Sequence, residues 1–294
     1  MPIPINPRGE DNQTSYMVQD TTSSVEMLRL ALQDRFITAG MGGPLPEHPD
    51  PASLHQVLDV GCGTGGWLLE LATTFPHMEL VGIDASWTMI EYAQEQASSR
   101  HLINATFRLM DALRPLDFRS DSFDLINLRL ASGFMRLPNW PVLLQEFVRV
   151  SRPGGIIRLV DAQMPTSNSP AYNRLNEIFL CAGYRDGHIP ELDKRGIVPH
   201  LSQFLRASGC QNVQETIHPL EYRAGTVAGE SFRQDIMYLF QTLIPFLQKT
   251  GCVTEDYDAL YQEAMSEMQQ RDFCAKWIFV TAWGTTPGRS SVSK

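Results

Sequence analysis

What this chain has little of sets its first limits. Its five cysteines, Cys62, Cys181, Cys210, Cys252 and Cys274, are scattered, odd in number and include no Cys-x-x-Cys pair. That argues against a disulfide frame or a zinc site, so no metal is expected, and it suits a reducing cytoplasm. No uninterrupted apolar run reaches membrane-spanning length. The opening Met1-Pro-Ile-Pro-Ile-Asn-Pro has neither the basic nor the apolar segment of a secretory signal. Positive charge is scarce as well. Lys and Arg total 24 against 33 Asp and Glu, a formal net charge of -9, whereas a generic grip on nucleic acid needs the opposite sign. The expectation is a cytoplasmic protein that engages a small molecule, with neither nucleic acid nor membrane as partner. A homodimer is left open.

What is present suffices for a full core. The chain has 294 residues, 43% of them hydrophobic, which fits one large domain with insertions. Residues 1–14 are polar and proline-rich. A helical period begins near Thr22, with Val25, Leu28, Leu32 and Phe36 at spacings of three and four and Ser23 and Ser24 as candidate caps. Glycines and prolines from Gly40 to Pro51 break it. Apolar strands then alternate with helices: strands at 57–60, 79–83, 106–110, 123–128 and 156–160, helices at 67–74, 88–98 and 140–150. This alternation predicts a doubly wound α/β fold with a mostly parallel sheet covered on both faces. Farther on, helices are expected at 175–182, 201–208 and broadly over 231–270, and strands at 213–220 and 276–282.

In such sheets ligands bind beyond the carboxyl ends of the strands. The run Gly61-Cys62-Gly63-Thr64-Gly65-Gly66 directly follows the first strand, where glycines let backbone approach a ligand closely. Gly61, Gly63 and Gly66 also satisfy a dinucleotide fingerprint. Asp59 opposes that reading, because a carboxylate two residues before the first glycine would repel a pyrophosphate. It would attract a cation, such as the ammonium or sulfonium of S-adenosylmethionine. Asp84 closes the second strand and can accept two ribose hydroxyls. Asp111 and Ala112 follow the third and can grip an adenine edge. Asn127 and Arg129 lie where the fourth opens into the cleft.

These motifs resemble the class I S-adenosylmethionine-dependent methyltransferases. Val57-Leu-Asp-Val-Gly-Cys-Gly-Thr-Gly65 is similar to that family's first motif, Gly82-Ile-Asp84-Ala-Ser to its acidic second, and Met110-Asp111-Ala112 to its adenine-contacting one. Ser122-Phe-Asp-Leu-Ile resembles its fourth strand and Val150-Ser-Arg-Pro-Gly-Gly-Ile its turn before the fifth. The likeness runs from about His55 to Asp161. A weaker one, Tyr16…Glu26…Arg29-Leu30, resembles small-molecule members in which an N-terminal helix covers the cofactor.

The resemblance implies a seven-stranded sheet with a helical lid and insertions, S-adenosylmethionine as cofactor, and methylation of O, N or C on a small, apolar or aromatic metabolite, in specialised metabolism. It implies an arm and lid over 1–50, a cofactor core over 51–165, an acceptor-bearing half over 166–284 and a tail over 285–294. Cofactor contacts are expected at Asp59, Gly61, Cys62, Gly63, Gly65, Asp84, Ala85, Met89, Asp111, Ala112, Asn127 and Arg129. Asn127-Leu-Arg-Leu stands where base-modifying members carry Asn/Asp-Pro-Pro-aromatic, which sets that branch aside. A non-methylating enzyme using the same cofactor, or a cofactor-sensing module, are the alternatives.

Candidates for a general base are His188, His200 and Tyr16. Each has a plainer reading, as a capping or surface histidine or as a packing anchor. Arg129 needs an anion, either the cofactor carboxylate or a salt bridge to Asp161 or Glu146. The apolar stretch 237–247 either roofs an acceptor pocket or belongs to the core or a dimer contact.

Overall fold

The computed structural model describes residues 16–17 and 24–288. The expected alternation is present. Strands β1 (Gln56–Val60), β2 (Glu79–Asp84), β3 (Ala105–Leu109), β4 (Phe123–Arg129) and β5 (Ser151–Ala162) are separated by helices α2 (Gly66–Thr74), α3 (Trp87–Ser99) and α4 (Trp140–Val150). Helix α1 (Ser24–Gly40) precedes them. After β5 come β6 (Thr166–Ser167), α5 (Pro170–Arg185), α6 (Leu201–Ala207) and β7 (Gln211–Arg223). The chain ends with α7 (Val227–Thr242), α8 (Ile244–Lys249), α9 (Tyr257–Glu267) and β8 (Cys274–Thr285).

The sheet runs β3-β2-β1-β4-β5-β8, with β7 and the two-residue β6 both paired to β8. β1 to β5 are parallel, whereas β8 is antiparallel to β5 and to β7. β6 adds an eighth strand to the seven expected. Crossovers from β1 run one way to β2 and β3, and those from β4 run the other way to β5. The switch point therefore lies between β1 and β4, where such sheets form their ligand crevice.

Alternate residues along these strands enter different cores. Val57 and Leu125 pack with Leu68, Leu71, Ile90 and Ala93 of α2 and α3. Leu58, Ile126 and Leu128 pack with Leu143, Phe147, Leu201 and Leu205 of α4 and α6. Both faces are thus covered, which is why β1 and β4 read as nearly continuous apolar runs. A third core joins α1, α5, α7, α8 and α9 over the β5–β8–β7 side, around Tyr172, Phe232, Phe240 and Phe246. The stretch 237–247 belongs here: Phe240, Leu243, Phe246 and Leu247 are buried, so it packs as core. The helical region expected over 231–270 is three helices, interrupted by Pro245 in the first turn of α8 and by Gly251 at positive φ.

Candidate functional site

The glycine turn is built by three left-handed residues in alternation, Gly61, Gly63 and Gly65 at φ of 65, 53 and 75 degrees. Side-chain-bearing residues rarely adopt these angles. A Cβ on Gly61 would stand 2.8 Å from Phe134, and one on Gly65 2.7 Å from Phe107. Gly65 is also the N-cap of α2, so the turn aims a helix N-terminus at the crevice.

Asp84 ties this turn to β2. Its Oδ2 accepts the Gly63 N–H at 2.9 Å and its Oδ1 the Ser86 N–H at 2.8 Å. Burial pushes its pKa up, against the pull of the Ser86, Gly63 and Ala85 backbone N–H groups. Each oxygen has a further lone pair for a ligand hydroxyl. Ala85 is exposed and Met89 buried at the start of α3. Asp111 is half-exposed; its Oδ1 accepts the Leu113 N–H at 2.9 Å, and Ala112 lies beside it, half-buried. Cys62 donates its backbone N–H to Ile83 O at 3.0 Å, and burial raises its thiol pKa well above the usual range. It is a turn residue with no activated sulfur.

Beneath the turn runs a row of buried polar side chains. Parallel register sets Asp59 beside Asn127 and Asn127 beside Arg158 on three neighbouring strands, so all three project from one face. Arg158 Nη1 donates to Asn127 Oδ1 at 2.7 Å, and Asn127 Nδ2 donates to Asp59 Oδ1 at 2.7 Å. Arg158 also pairs with Glu47 and lies over the Trp67 ring at 5.8 Å. Gly82 of β2 is the register partner of Asp59 on its other side. Burial lifts the Asp59 pKa to about 7, although Arg129 and the Asn127 hydrogen bond pull it down and Asp34 pushes it up. A carboxylate held near neutrality in the free protein gains most when a cation arrives beside it.

Arg129 meets neither Asp161 nor Glu146. Its guanidinium pairs with Asp34 of α1 and donates to Thr38 Oγ1 at 2.9 Å. Asp161 instead accepts from the Ser132 N–H at 3.0 Å and the Ser132 hydroxyl at 2.8 Å, and Glu146 pairs with Arg149. Asp34 in turn sits so close over Gly66 that a side chain there has no room. Helix α1 is thereby clamped across β4 and the glycine turn.

Two of the three candidate bases, Tyr16 and His188, lie against the Ser132–Gly133 loop after β4, and His200 lies at the start of α6. Tyr16 donates its hydroxyl to Glu26 Oε1 at 2.9 Å, and burial pushes its pKa far up. Its neighbour Met17 donates a backbone N–H to Gly133 O at 2.9 Å, laying this segment over the loop after β4. His188 is fully buried. Its Nδ1 lies 3.0 Å from Ser132 O, and its Nε2 lies 3.3 Å from Asp186 without the alignment of a hydrogen bond. Burial lowers its pKa despite Asp186. His200 stacks on Phe204, which stacks on Trp140, at the contact of α6 with α4.

A cleft of about 400 Å³ opens between α1, α2 and α3, lined by Asp34, Thr64, Gly66, Glu70, Tyr92 and Arg100 among others. None of the expected cofactor contacts lines it. No cluster of three or more His, Cys, Asp or Glu side chains able to hold a metal occurs among the described residues. No helix among them is long and apolar enough to cross a membrane.

Arg158, Glu47 and Asp34 were not anticipated. Arg158 carried a signal, since an arginine inside the apolar strand Ile156-Ile157-Arg158-Leu159-Val160 is costly without a partner. Glu47 and Asp34, in a glycine–proline connection and on a helix, carried none.

Sheet order, switch point and glycine turn define a doubly wound α/β protein whose ligand crevice is expected at the carboxyl ends of β1 and β4. Residues 57–155 match the methyltransferase domain family, so over that third of its length the chain carries a methyltransferase-type domain. The secondary metabolism regulator LAE1 of Cochliobolus heterostrophus is 28% identical over 204 residues, 66% of this chain and 62% of that protein. A demethylmenaquinone methyltransferase of Staphylococcus aureus is 34% identical over 126 residues, 42% of this chain and 49% of that one. The chain thus spans about half to six-tenths of the length of these relatives. The phosphoethanolamine N-methyltransferase 2 of Haemonchus contortus, solved with phosphomonomethylethanolamine and S-adenosylhomocysteine, shares the fold. It has a TM-score of 0.55 at 17% identity, over 92% of this chain and 60% of that one.

Proposed function

We propose that this protein transfers the methyl group of S-adenosylmethionine to O, N or C of a small-molecule acceptor. The carrying observation is Asp59, buried and fixed by Asn127 at 2.7 Å directly before the glycine turn. In this reading Asp59 and the turn residues Gly61, Cys62, Gly63 and Gly65 receive the amino acid end of the cofactor. Asp84 takes the ribose hydroxyls, with Ala85 and Met89 alongside, and Asp111 and Ala112 take the adenine edge. Asn127 and Arg129 act from below: the first orients Asp59, and the second holds α1 through Asp34. Residues 51–165 are the cofactor unit, and residues 1–50 with 166–284 supply lid and acceptor site.

The sulfonium methyl is already activated for displacement, so the residues chiefly align acceptor and cofactor and exclude water. An electron pair of the acceptor, a lone pair on O or N or a π pair at carbon, forms the new bond to the methyl carbon while the carbon–sulfur pair leaves with sulfur. A base matters only for an acceptor that must lose a proton. Tyr16 is unsuited to that role, because its hydroxyl is committed to Glu26 and its ionisation is suppressed.

The test is incubation with methyl-labelled S-adenosylmethionine and a small-molecule extract. Label should appear in a low-mass product as S-adenosylhomocysteine accumulates. Binding of nicotinamide nucleotides in place of S-adenosylmethionine would overturn the reading. A regulatory reading is favoured by the name of the LAE1 relative; binding without turnover against any extract would support it.

A further inference from the structure

Two of the five cysteines, far apart in the chain, meet at the third core. Cys181 lies on α5 and Cys252 in the turn after α8, 71 residues later, and the Cys252 thiol donates to Cys181 Sγ at 3.5 Å. Backbone bonds hold both sulfurs in place. The Cys252 N–H donates to Leu247 O at 2.8 Å, and Gly251 takes a left-handed φ of 65 degrees, which turns the chain back onto α5. Arg185, one turn beyond Cys181 on α5, donates through Nη1 to Thr250 O at 3.0 Å and to Gly251 O at 2.8 Å. Cys62 and Cys210 have oxygen neighbours instead, Gly63 O at 3.9 Å and the Ser208 hydroxyl.

Thiols in contact can be plain packing, since cysteine is a small and largely apolar side chain. Position favours a reactive pair here. Cys181 is only half-buried, within reach of a small solute, while Cys252 is 8% exposed. Sulfurs bonded at about 2.05 Å are closer by only about 1.5 Å, a displacement within the reach of side-chain rotation. The same joint carries the Asp186–Lys249 ion pair at 3.5 Å and the edge-on contact of His188 with Phe246. His188 in turn meets Ser132 O at 3.0 Å. A covalent bond here would therefore fix the joint against which the loop after β4 rests.

We propose that Cys181 and Cys252 form a redox modification site, at which a small-molecule disulfide converts the dithiol into a bond locking α5 to the turn after α8. The Cys181 sulfur, as thiolate, attacks one sulfur of the small disulfide and expels the other as a thiolate. Cys252 then loses its proton, attacks the Cys181 sulfur of this mixed disulfide and releases the second small thiolate. The protein gives up two electrons and two protons, and the reagent is reduced to two thiols. Burial and the Cys252 thiol raise the Cys181 pKa while Arg185 draws it down. The first attack is therefore slow at neutral pH and calls for a sustained oxidising poise. Under reducing conditions the pair stays as thiols. The inference is independent of what the crevice binds.

The test incubates the full chain with oxidised glutathione at pH 8, alkylates the remaining thiols under denaturing conditions and maps the unreduced digest by mass spectrometry. The expected product is a linked Cys181–Cys252 peptide pair, with Cys62, Cys210 and Cys274 alkylated, and dithiothreitol should return all five thiols. Cys252→Ser should stop at a glutathione adduct on Cys181, and Cys181→Ser should leave Cys252 alkylated. Because the bond ties together residues 71 apart, the linked protein should melt about 5 °C or more above the reduced one. Both variants should lack that rise. A persistent glutathione adduct on Cys181 of the unsubstituted protein, a linked pair drawn from other cysteines, or no link after prolonged exposure would each overturn the proposal. An unchanged or lower melting midpoint of the linked form would overturn it too.

Discussion

Asn127 Nδ2 donates to Asp59 Oδ1 at 2.7 Å, and the two residues are register partners on adjacent parallel strands. A parallel sheet places register partners on the same face, so one-residue slippage of β4 would send Asn127 to the opposite core. Arg158, one strand farther, completes the row through the Asn127 carbonyl oxygen. The amide is therefore oriented from both sides: its oxygen faces a guanidinium and its nitrogen a carboxylate.

Cofactor affinity should depend on pH through Asp59. Its pKa in the free protein is raised to about 7, and a cationic ligand binds the ionised form. Affinity should fall as the pH drops below 7, by up to about tenfold per unit, since the ligand's ammonium stays charged over that range. Calorimetry with S-adenosylmethionine between pH 5.5 and 7.5 measures this. The Asp59→Asn variant should bind weakly with no such slope, and an unchanged slope would remove Asp59 from the site.

Breaking the row at Arg158 should destabilise the fold strongly. Arg158→Met leaves the Glu47 carboxylate, 4% exposed, without its guanidinium, an expected loss of about 3–5 kcal/mol. Adding Glu47→Gln should restore part of it, because the unpaired charge is then gone. Urea unfolding of both variants gives the comparison.

Gly65→Ala should cost about 1–2 kcal/mol from its left-handed backbone alone, and more from the approach of a Cβ to Phe107 at 2.7 Å. Pairing it with Phe107→Leu should recover the steric part and not the backbone part. Thermal unfolding of the single and double variants separates the two.

Asp84→Ala should weaken S-adenosylmethionine binding by about tenfold or more, through loss of paired hydrogen bonds to a ribose. It also deprives the Gly63 and Ser86 N–H groups of their acceptor, so the glycine turn should loosen as well. Unchanged binding by calorimetry would detach β2 from the cofactor.

His188 contributes its own pH dependence of stability. Burial lowers its folded pKa below the ordinary value, so the folded state binds fewer protons than the unfolded chain as pH falls through about 6.5. Stability on its account is full above that range and declines below it. His188→Gln should flatten the decline in denaturation midpoints between pH 7.5 and 5.5.

The sequence by itself determined the doubly wound sheet, the glycine turn and the order of strand-end acids, because these are local: apolar strands, turn glycines and caps act within a few residues. Tertiary structure alone decided who meets whom. Arg129 finds Asp34 because α1 folds back across β4, and Arg158 finds Glu47 because a glycine–proline connection returns beneath the sheet. The apolar stretch 237–247 shows the same limit, since periodicity marks a face for burial without naming what buries it. Asp235 could not be singled out on α7 by sequence; only the packing of α7 on α1 brings it to Arg29, 206 residues away in the chain. Long-range pairing of buried charges depends on which surfaces close upon one another, and no residue spacing encodes that.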